Sequence, residues 1–338
     1  MDRISPLHDE LLLKIFSFLP TTKHVVATMV LSKRWQPLWM MVPRLVYDDT
    51  SYQNVGYGSF RRFVDRSLLF HKAPVLETLR FKVTQTSGVG DIPLWTRAAE
   101  KHALRCRMLV TLTNNVILVD AASPISFPTL KILELNSVKY PGDEFVKRFL
   151  SNCILFLRLG VEQCPGDNVT VFTVRVPSLE SLYLRKSSDT DVDDADDAKG
   201  FVIDAPSLKY LGITDTIGGF CVIENEMPNI VKANVEADYK CVSNILVHTA
   251  PDRPRPCWIE PSSIPECLLT SLETLDWDNY EGAEEEKEVA TFILRNGNCL
   301  KNVAVFSSTS IDSDEKLEMI KDLSYWPRRS PACHLTFD

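Results

Sequence analysis

The side chains best able to do nucleophilic, redox or metal chemistry stand apart from one another along this chain of 338 residues. Cys106, Cys153, Cys164, Cys221, Cys241, Cys257, Cys267, Cys299 and Cys333 are scattered singly, odd in number and mostly beside apolar residues. That pattern predicts buried thiols in a reducing compartment rather than a disulfide framework or a zinc site. His8, His24, His71, His102, His248 and His334 are equally solitary. There is no Cys-x-x-Cys, Gly-x-Ser-x-Gly or Gly-Lys-Ser/Thr, and Gly88-Val89-Gly90 lacks the third glycine of a dinucleotide turn. The run Asp189, Asp191, Asp193, Asp194, Asp196, Asp197 alternates carboxylates as a hard cation needs, but a calcium loop opening at Asp189 requires Gly where Asp194 stands and Glu where Gly200 stands. It reads as a solvated loop. Asn168-Val169-Thr170 would accept a glycan only in a secreted protein. The expectation is a protein without catalytic residues, metal or cofactor.

A formal charge of −8 gives no basic surplus for phosphates or anionic lipid, and 45% apolar content builds a sizeable core. Nucleic acid and membrane are therefore poor partners and protein is the expected one. Met1–Glu10 has no basic and apolar leader, and no apolar stretch reaches membrane-spanning length, so the cytosol or nucleus is expected.

The elements begin with a helical module. Leu11, Leu12, Ile15, Phe16 and Leu19 form one amphipathic face that Asp9 can start and Pro20 ends. Val25, Val26, Met29 and Val30 repeat the spacing behind Thr21 or Thr22, and Ser32 caps a third segment with Leu31, Trp35, Leu38 and Trp39. So small a unit cannot bury all these side chains within itself. Periodicity leaves open whether the remainder docks on this chain or on a partner.

The stretch DRISPLHDELLLKIFSFLPTTKHVVATMVLSKRWQPLW closely resembles the F-box of plant F-box proteins, through Asp-Arg-Ile-Ser, Leu-Leu-x-x-Ile, the Phe-Leu-Pro corner and Leu-Ser-Lys-Arg-Trp. The resemblance implies that Leu7, Leu11, Leu12, Ile15, Phe16, Leu19, Pro20, Leu31, Trp35, Leu38 and Trp39 build the module and its contact with a Skp adaptor. Ser32, Lys33 and Arg34 would form the polar rim, and the adaptor would bind a cullin. His8 stands where the family usually has Pro, which removes a pre-organised helix start, and Pro37 should shorten or kink the third helix.

Between about residues 74 and 236 the phrase Pro-x-Leu-x-x-Leu-x-Leu returns, from Pro74, Pro128, Pro177 and Pro206 and more faintly from Pro228. The last three intervals are 177 − 128 = 49, 206 − 177 = 29 and 228 − 206 = 22, and the first of these has room for a further unit at Leu155, Leu157 and Leu159. These steps suit leucine-rich repeats, whose Leu-x-Leu strands share a core and turn their intervening residues outward. Lys131, Ile132 and Glu134, Glu180, Ser181 and Tyr183, and Lys209, Tyr210 and Gly212 would then face solvent. Core strands of another α/β fold remain the alternative. Compared with its relatives the chain jumps at Ala103-Leu104-Arg105-Cys106, which predicts a missing repeat and lost backbone pairing around residues 80–120.

At the C-terminus, Leu272–Trp277 reads as a strand and Glu284–Glu288 opens a helix that Gly297 stops, with Val289, Phe292 and Ile293 inward. Val303–Phe306 is strand-like, Asp314–Leu323 is helical with Leu317, Ile320 and Leu323 inward, and Cys333, Leu335 and Phe337 alternate as a last strand. Trp258, Glu260-Pro261, Cys267-Leu268-Leu269, Ser271-Leu272-Glu273, the Glu284–Glu288 run, Cys299-Leu300-Lys301, Glu315-Lys316-Leu317-Glu318 and Pro327-Arg328 make this unit resemble the FBD domain. The expected fold is α+β and multidomain: a three-helix F-box at 1–47, an α/β leucine-rich-repeat solenoid at 70–250, and a capping β-α-β-α-β FBD unit at 256–338. The resemblance implies a non-catalytic substrate-recognition subunit of a Skp-cullin-F-box ubiquitin ligase, with an unidentified target. The alternatives are a protein-binding module without a ligase role, a receptor disabled by its missing repeat, and a hydrolase with an unrecognised site.

Overall fold

The computed structural model describes residues 7–52, 55–84, 91–99, 107–112, 130–153, 156–163, 167–186, 200–215, 220–237, 260–261, 263–308 and 311–338. The chain forms two compact units, one of residues 1–139 with 152–156, the other of residues 140–151 with 157–338. Among the described residues no helix is long and apolar enough to cross a membrane.

The first unit opens with α1 (Asp9–Ser17) and α2 (Thr22–Ala27). A 3-10 turn (Thr28–Val30), the four-residue α3 (Trp35–Leu38), which contains Pro37, and a second 3-10 turn (Trp39–Met41) follow. Then come β1 (Arg44–Asp48), α4 (Tyr57–Phe70), β2 (Thr78–Val83), α5 (Ile92–Ala99), β3 (Arg107–Leu112) and β4 (Leu130–Asn136). The strands pair in the order β1-β2-β3-β4, all parallel. Parallel neighbours need a crossover, and α4 supplies the one between β1 and β2. Beneath it, Tyr47 stacks on Phe81 and Phe81 on Trp95, each at 5.4 Å between centroids, while Phe60 meets Trp95 edge-on at 5.8 Å. The buried carboxylate of Asp49 accepts the Thr84 backbone N–H and hydroxyl, tying the chain after β1 to the end of β2.

Among the described residues the loss of pairing expected around residues 80–120 does not occur. The junction Ala103–Cys106 lies outside the described residues, but β2 and β3 on either side pair without a break from Thr78↔Arg107 to Val83↔Leu112. The β3–β4 ladder carries an irregularity, between Met108 and Leu109. The reason is spacing. Successive strands here start 107 − 78 = 29 residues apart, as do two strands of the intact body, 210 − 181 = 29. A spacing of one repeat brings equivalent strands side by side and the ladder closes.

The second unit contains α6 (Asp143–Ser151) and then β5 (Arg158–Gln163), β6 (Val171–Arg175), β7 (Ser181–Lys186), β8 (Gly200–Asp204), β9 (Tyr210–Asp215), β10 (Phe220–Ile223) and β11 (Lys232–Ala237). After them come α7 (Glu266–Thr270), β12 (Thr274–Tyr280), α8 (Glu284–Asn296), β13 (Asn302–Ser307), α9 (Ser313–Ser324) and β14 (His334–Phe337). A seven-stranded parallel sheet runs β5-β7-β9-β11-β12-β13-β14, and the strands between its first members form a second parallel sheet, β6-β8-β10. Leu159, Leu182, Leu184, Leu211 and Ile213 of the larger sheet are buried. Each such side chain contributes roughly 1.5–3 kcal/mol of burial.

The Pro-x-Leu phrase has a structural meaning. Leu179 N–H donates to the Val176 carbonyl and Leu208 N–H to that of Ala205, so Pro177 and Pro206 occupy the second position of a four-residue turn, where their fixed φ fits and no N–H is lost. One residue on, a carbonyl takes two N–H groups from the next repeat: Leu157 from Glu180 and Ser181, Glu180 from Lys209 and Tyr210, Lys209 from Val231 and Lys232. The pattern continues past β11, with Val231 accepting from Glu273 and Thr274, and Glu273 from Lys301 and Asn302. The C-terminal β-α-β elements thus use the same backbone joint as the repeats.

Two details differ from expectation. Leu323 of α9 is buried, but Leu317 and Ile320 are half-exposed, so the helix presents an apolar stripe outward. In α8 the acidic opening does more than face the positive helix end. Glu286 is 1% exposed, and its Oε2 accepts the N–H groups of Glu281 and Ala283 at 3.0 Å each. Burial outweighs those bonds and pushes its carboxyl up to about 7.

Candidate functional site

The helical module sorts its apolar side chains by helix face. In α1 Leu12 and Phe16 lie one turn apart and are buried, whereas Leu11 and Ile15, the adjacent stripe, are 49% and 41% exposed. Phe18, at 78%, is one further turn along that outer stripe. Behind the buried stripe, Phe16 meets Trp35 edge-on at 5.6 Å, and Val25, Leu38 and Trp39 complete the core. Val30 and Leu31, in the tight chain between α2 and α3, are 87% and 68% exposed.

Polar bonds hold this arrangement to the rest of its unit. Thr21 precedes α2, but its hydroxyl meets the His24 ring at 2.8 Å instead of capping the helix, and the buried Thr22 hydroxyl accepts the Val46 N–H of β1 at 2.8 Å. Arg44 donates to the Ser17 carbonyl at 2.7 Å, and His71 Nε2 lies 2.9 Å from the Val42 carbonyl. Arg34 reaches back to Asp9 at 2.5 Å and to the Leu7 carbonyl at 2.6 Å, closing the third segment on the first. Ser32 Oγ accepts the Arg34 N–H at 3.3 Å.

The fourteen residues singled out from the sequence therefore separate. Leu12, Phe16, Trp35, Leu38 and Trp39 are the module's own core; Leu11, Ile15, Pro20, Leu31 and Lys33 face solvent; Leu7, Leu19 and Ser32 are part-buried; Arg34 is exposed and paired with Asp9. Phe18 and Val30 were missed as surface residues. Their signal was present in the Phe-Leu-Pro corner and the second period, but periodicity groups apolar residues without saying which stripe the chain covers. Such a concentration of exposed large apolar side chains makes this a candidate protein-docking face.

Among the outward repeat positions, Tyr183 and Lys209 are exposed and Lys131, Ile132, Glu134, Glu180, Ser181 and Tyr210 part-exposed. Gly212 is buried, because the Tyr183 ring covers it. Of the described cysteines, Cys153, Cys221 and Cys333 are buried, and burial pushes the Cys267 thiol up to about 11, far from a reactive thiolate.

With this geometry in hand, the likeness to known proteins is specific. The chain matches the F-box domain over residues 4–47, a leucine-rich repeat over 130–154 and FBD over 260–305. It is 46% identical to a probable FBD-associated F-box protein of Arabidopsis thaliana, across 100% of both chains. A putative FBD-associated F-box protein of the same plant is 45% identical over 95% of this chain and 100% of its own. An F-box/FBD/LRR-repeat protein of Arabidopsis thaliana is 37% identical over 100% of this chain and 99% of its own. The first alignment runs 428 positions against 338 residues, so at least 428 − 338 = 90 positions have no residue here, about three or four repeats of 22–29. The full-length match, together with the three domain matches in order, places this chain in the F-box/FBD/leucine-rich-repeat family of plant proteins.

Proposed function

We propose that this protein is the non-catalytic, target-holding subunit of a Skp-cullin-F-box ubiquitin ligase in the cytosol or nucleus. The F-box of residues 1–47 docks on a Skp adaptor, the leucine-rich-repeat solenoid of 70–250 holds a target protein, and the FBD unit of 256–338 caps it. The observation that carries this reading is the split in the helical module. Five large apolar side chains, Leu11, Ile15, Phe18, Val30 and Leu31, stay exposed although the module has a core of its own. Pro20 and Lys33 border them in solvent, and Leu7, Leu19 and Ser32 supply the edge. An adaptor groove that covers this face removes it from water, with a few central side chains carrying most of the affinity.

Buried Leu12, Phe16, Trp35, Leu38 and Trp39 act on docking by holding the outer stripe in place. The adaptor joins the chain to a cullin, and other subunits transfer ubiquitin. The contribution of this protein is proximity, which raises the effective concentration of target lysines at the charged enzyme. The uninterrupted β2–β3 ladder supports an intact target-holding body over one disabled by its shortening.

The test is retention of purified Skp adaptor by the full chain. Leu31→Asp with Phe18→Asp abolishes retention while the melting temperature stays within a few degrees of the parent. Retention that survives this pair, in a folded protein, removes the ligase reading. Trp35→Ala is unsuitable, since Trp35 is 6% exposed and its loss would unfold the module.

A further inference from the structure

The outward face of the larger sheet in the second unit has a local composition that its apolar core does not require. Tyr183 on β7 lies in register between two glycines, Gly160 on β5 and Gly212 on β9. A Cβ at Gly212 would come within 2.7 Å of Tyr183 Cδ2 and 3.1 Å of the Tyr210 hydroxyl, so the missing side chain is what lets the two tyrosines converge over β9. The Tyr183 hydroxyl lies 3.4 Å from Thr214 Oγ1, which donates to Glu236 Oε2 at 3.2 Å. The tyrosine is thereby linked through a buried threonine to a carboxylate on β11.

Next to Glu236, in register on β12, stands Asp278, which accepts from the Asn234 amide at 3.4 Å. The neighbouring Asp276 is neutralised by Lys232 at 2.6 Å. Glu236 and Asp278 form no ion pair among the described residues. Burial, and then the charge of Glu236, hold the Asp278 carboxyl above its ordinary range. The strain is that of two like charges side by side on a half-covered surface, and a cation placed between them would relieve it.

From the Tyr183 hydroxyl, beside Thr214 on β9, the carboxylates of Glu236 and Asp278 lie one and two strand steps away, about 5–10 Å. That is the reach of a lysine or arginine side chain whose stem lies on an aromatic surface and whose charged end meets carboxylates. We propose that this face binds a lysine- or arginine-bearing extended segment of the partner protein, with the stem against Tyr183 and Tyr210 and the cation between Glu236 and Asp278. The proposal rests on the reading that this body holds a target, and it names the chemistry of that target. The formal charge of −8 on the whole chain favours the same partner at long range.

The test uses the full chain to select from a randomised 12-residue peptide library displayed on phage. The parent enriches peptides with a lysine or arginine beside an apolar residue. Glu236→Gln with Asp278→Asn loses that enrichment at least tenfold, Tyr183→Ala loses it severalfold, and thermal melts of both variants match the parent. The same enrichment in the double variant, selection of acidic or uncharged peptides, or no selection at all overturns the proposal. Adaptor retention is measured on the same preparations. A chain that selects cationic peptides without retaining the adaptor sinks only the ligase reading. One that retains the adaptor without selecting them sinks only this proposal.

Discussion

Leucines do opposite work in the two ends of this molecule. In the body Leu159, Leu182, Leu184 and Leu211 all point into a sheet core and are at most 2% exposed. In the helical module Leu12 is at 0% while its neighbour Leu11 is at 49%, and Leu31 is at 68%. The backbone explains the contrast. A parallel strand in a stack has a neighbour on each side, so its inward residues are buried by the next repeat whatever happens outside. A three-turn helix has no such neighbour, so an apolar stripe wider than its own core must meet another protein or remain in water. Burial in the body therefore reports stability, and exposure in the module leaves a face for the proposed adaptor.

Substitutions of similar size should then separate the two regions. Leu182→Ala, at 0% exposure in β7, removes several methylene groups from a packed core and should cost about 2–5 kcal/mol, read as a lowered urea midpoint or melting temperature. Leu31→Ala should change stability by no more than about 0.5 kcal/mol. Equal losses in the two variants would break the comparison, because Leu31 would then be held by the folded chain itself.

Among the buried polar exceptions to the inward rule, Glu286 sharpens it. Glu286 is buried with its Oε1 unpartnered, and burial raises its carboxyl from the ordinary 4.5 to about 7. A raised folded pKa means that the folded state holds the proton more tightly than the unfolded one. Stability is then greatest below about 4.5 as far as this group is concerned, falls as pH rises towards about 7, and is flat above that. At about 1.4 kcal/mol per pH unit the fall amounts to roughly 3 kcal/mol. Glu286→Gln should remove this fall and make the protein more stable than the parent at pH 8, in urea titrations at pH 5 and pH 8. An unchanged pH profile would mean that Glu286 is ionised at no cost.

Much of the body was legible because its signals are local. Pro177 and Pro206 mark turns that fit their fixed φ, and Leu179 and Leu208 follow at a set distance. The start of α1 at Asp9 and the stop of α8 at Gly297 were readable for the same reason. The second sheet was not. Val171–Arg175, Gly200–Asp204 and Phe220–Ile223 carry no leucine phrase, and their pairing joins residues that only the stacked repeats bring together. Nor could spacing say that Leu317 and Ile320 of α9 face outward, because a 3.6-residue period defines a stripe and leaves its partner unspecified. The candidate docking face failed in the same way. Leu11, Ile15 and Leu31 were among the sequence candidates and Phe18 and Val30 were not, and the division between Leu11 and Leu12 depends on where Trp35 lies.

Within the module, the Arg34 link to Asp9 and the Leu7 carbonyl tests how firmly the outer stripe is held. Both charged partners are well exposed, so Arg34→Ala should cost about 0–1 kcal/mol of stability. Its larger effect should fall on the adaptor, with retention weakened severalfold through a looser first helix. A loss of stability without any loss of retention would assign Arg34 to the fold alone.

The smallest effect concerns pre-organisation. The body fixes its turns with proline, while the module begins its first helix at His8, whose φ of −61° is already that of a proline and whose side chain makes no cap bond. What the helix uses is the His8 carbonyl, which accepts the N–H groups of Leu11 at 3.0 Å and Leu12 at 3.1 Å. A proline keeps that carbonyl and removes unfolded-state freedom, so His8→Pro should stabilise the module by about 0.4–1 kcal/mol. Because the outer stripe starts only three residues later, retention of the adaptor should tighten by no more than the same amount. Hydrogen exchange of the Leu11 and Leu12 amides reads the change directly, since both slow if the helix start is better held. If these amides exchange faster in the proline variant, the first helix is constrained by its surroundings rather than by its own start, and the module resembles the body more closely than its exposed leucines imply.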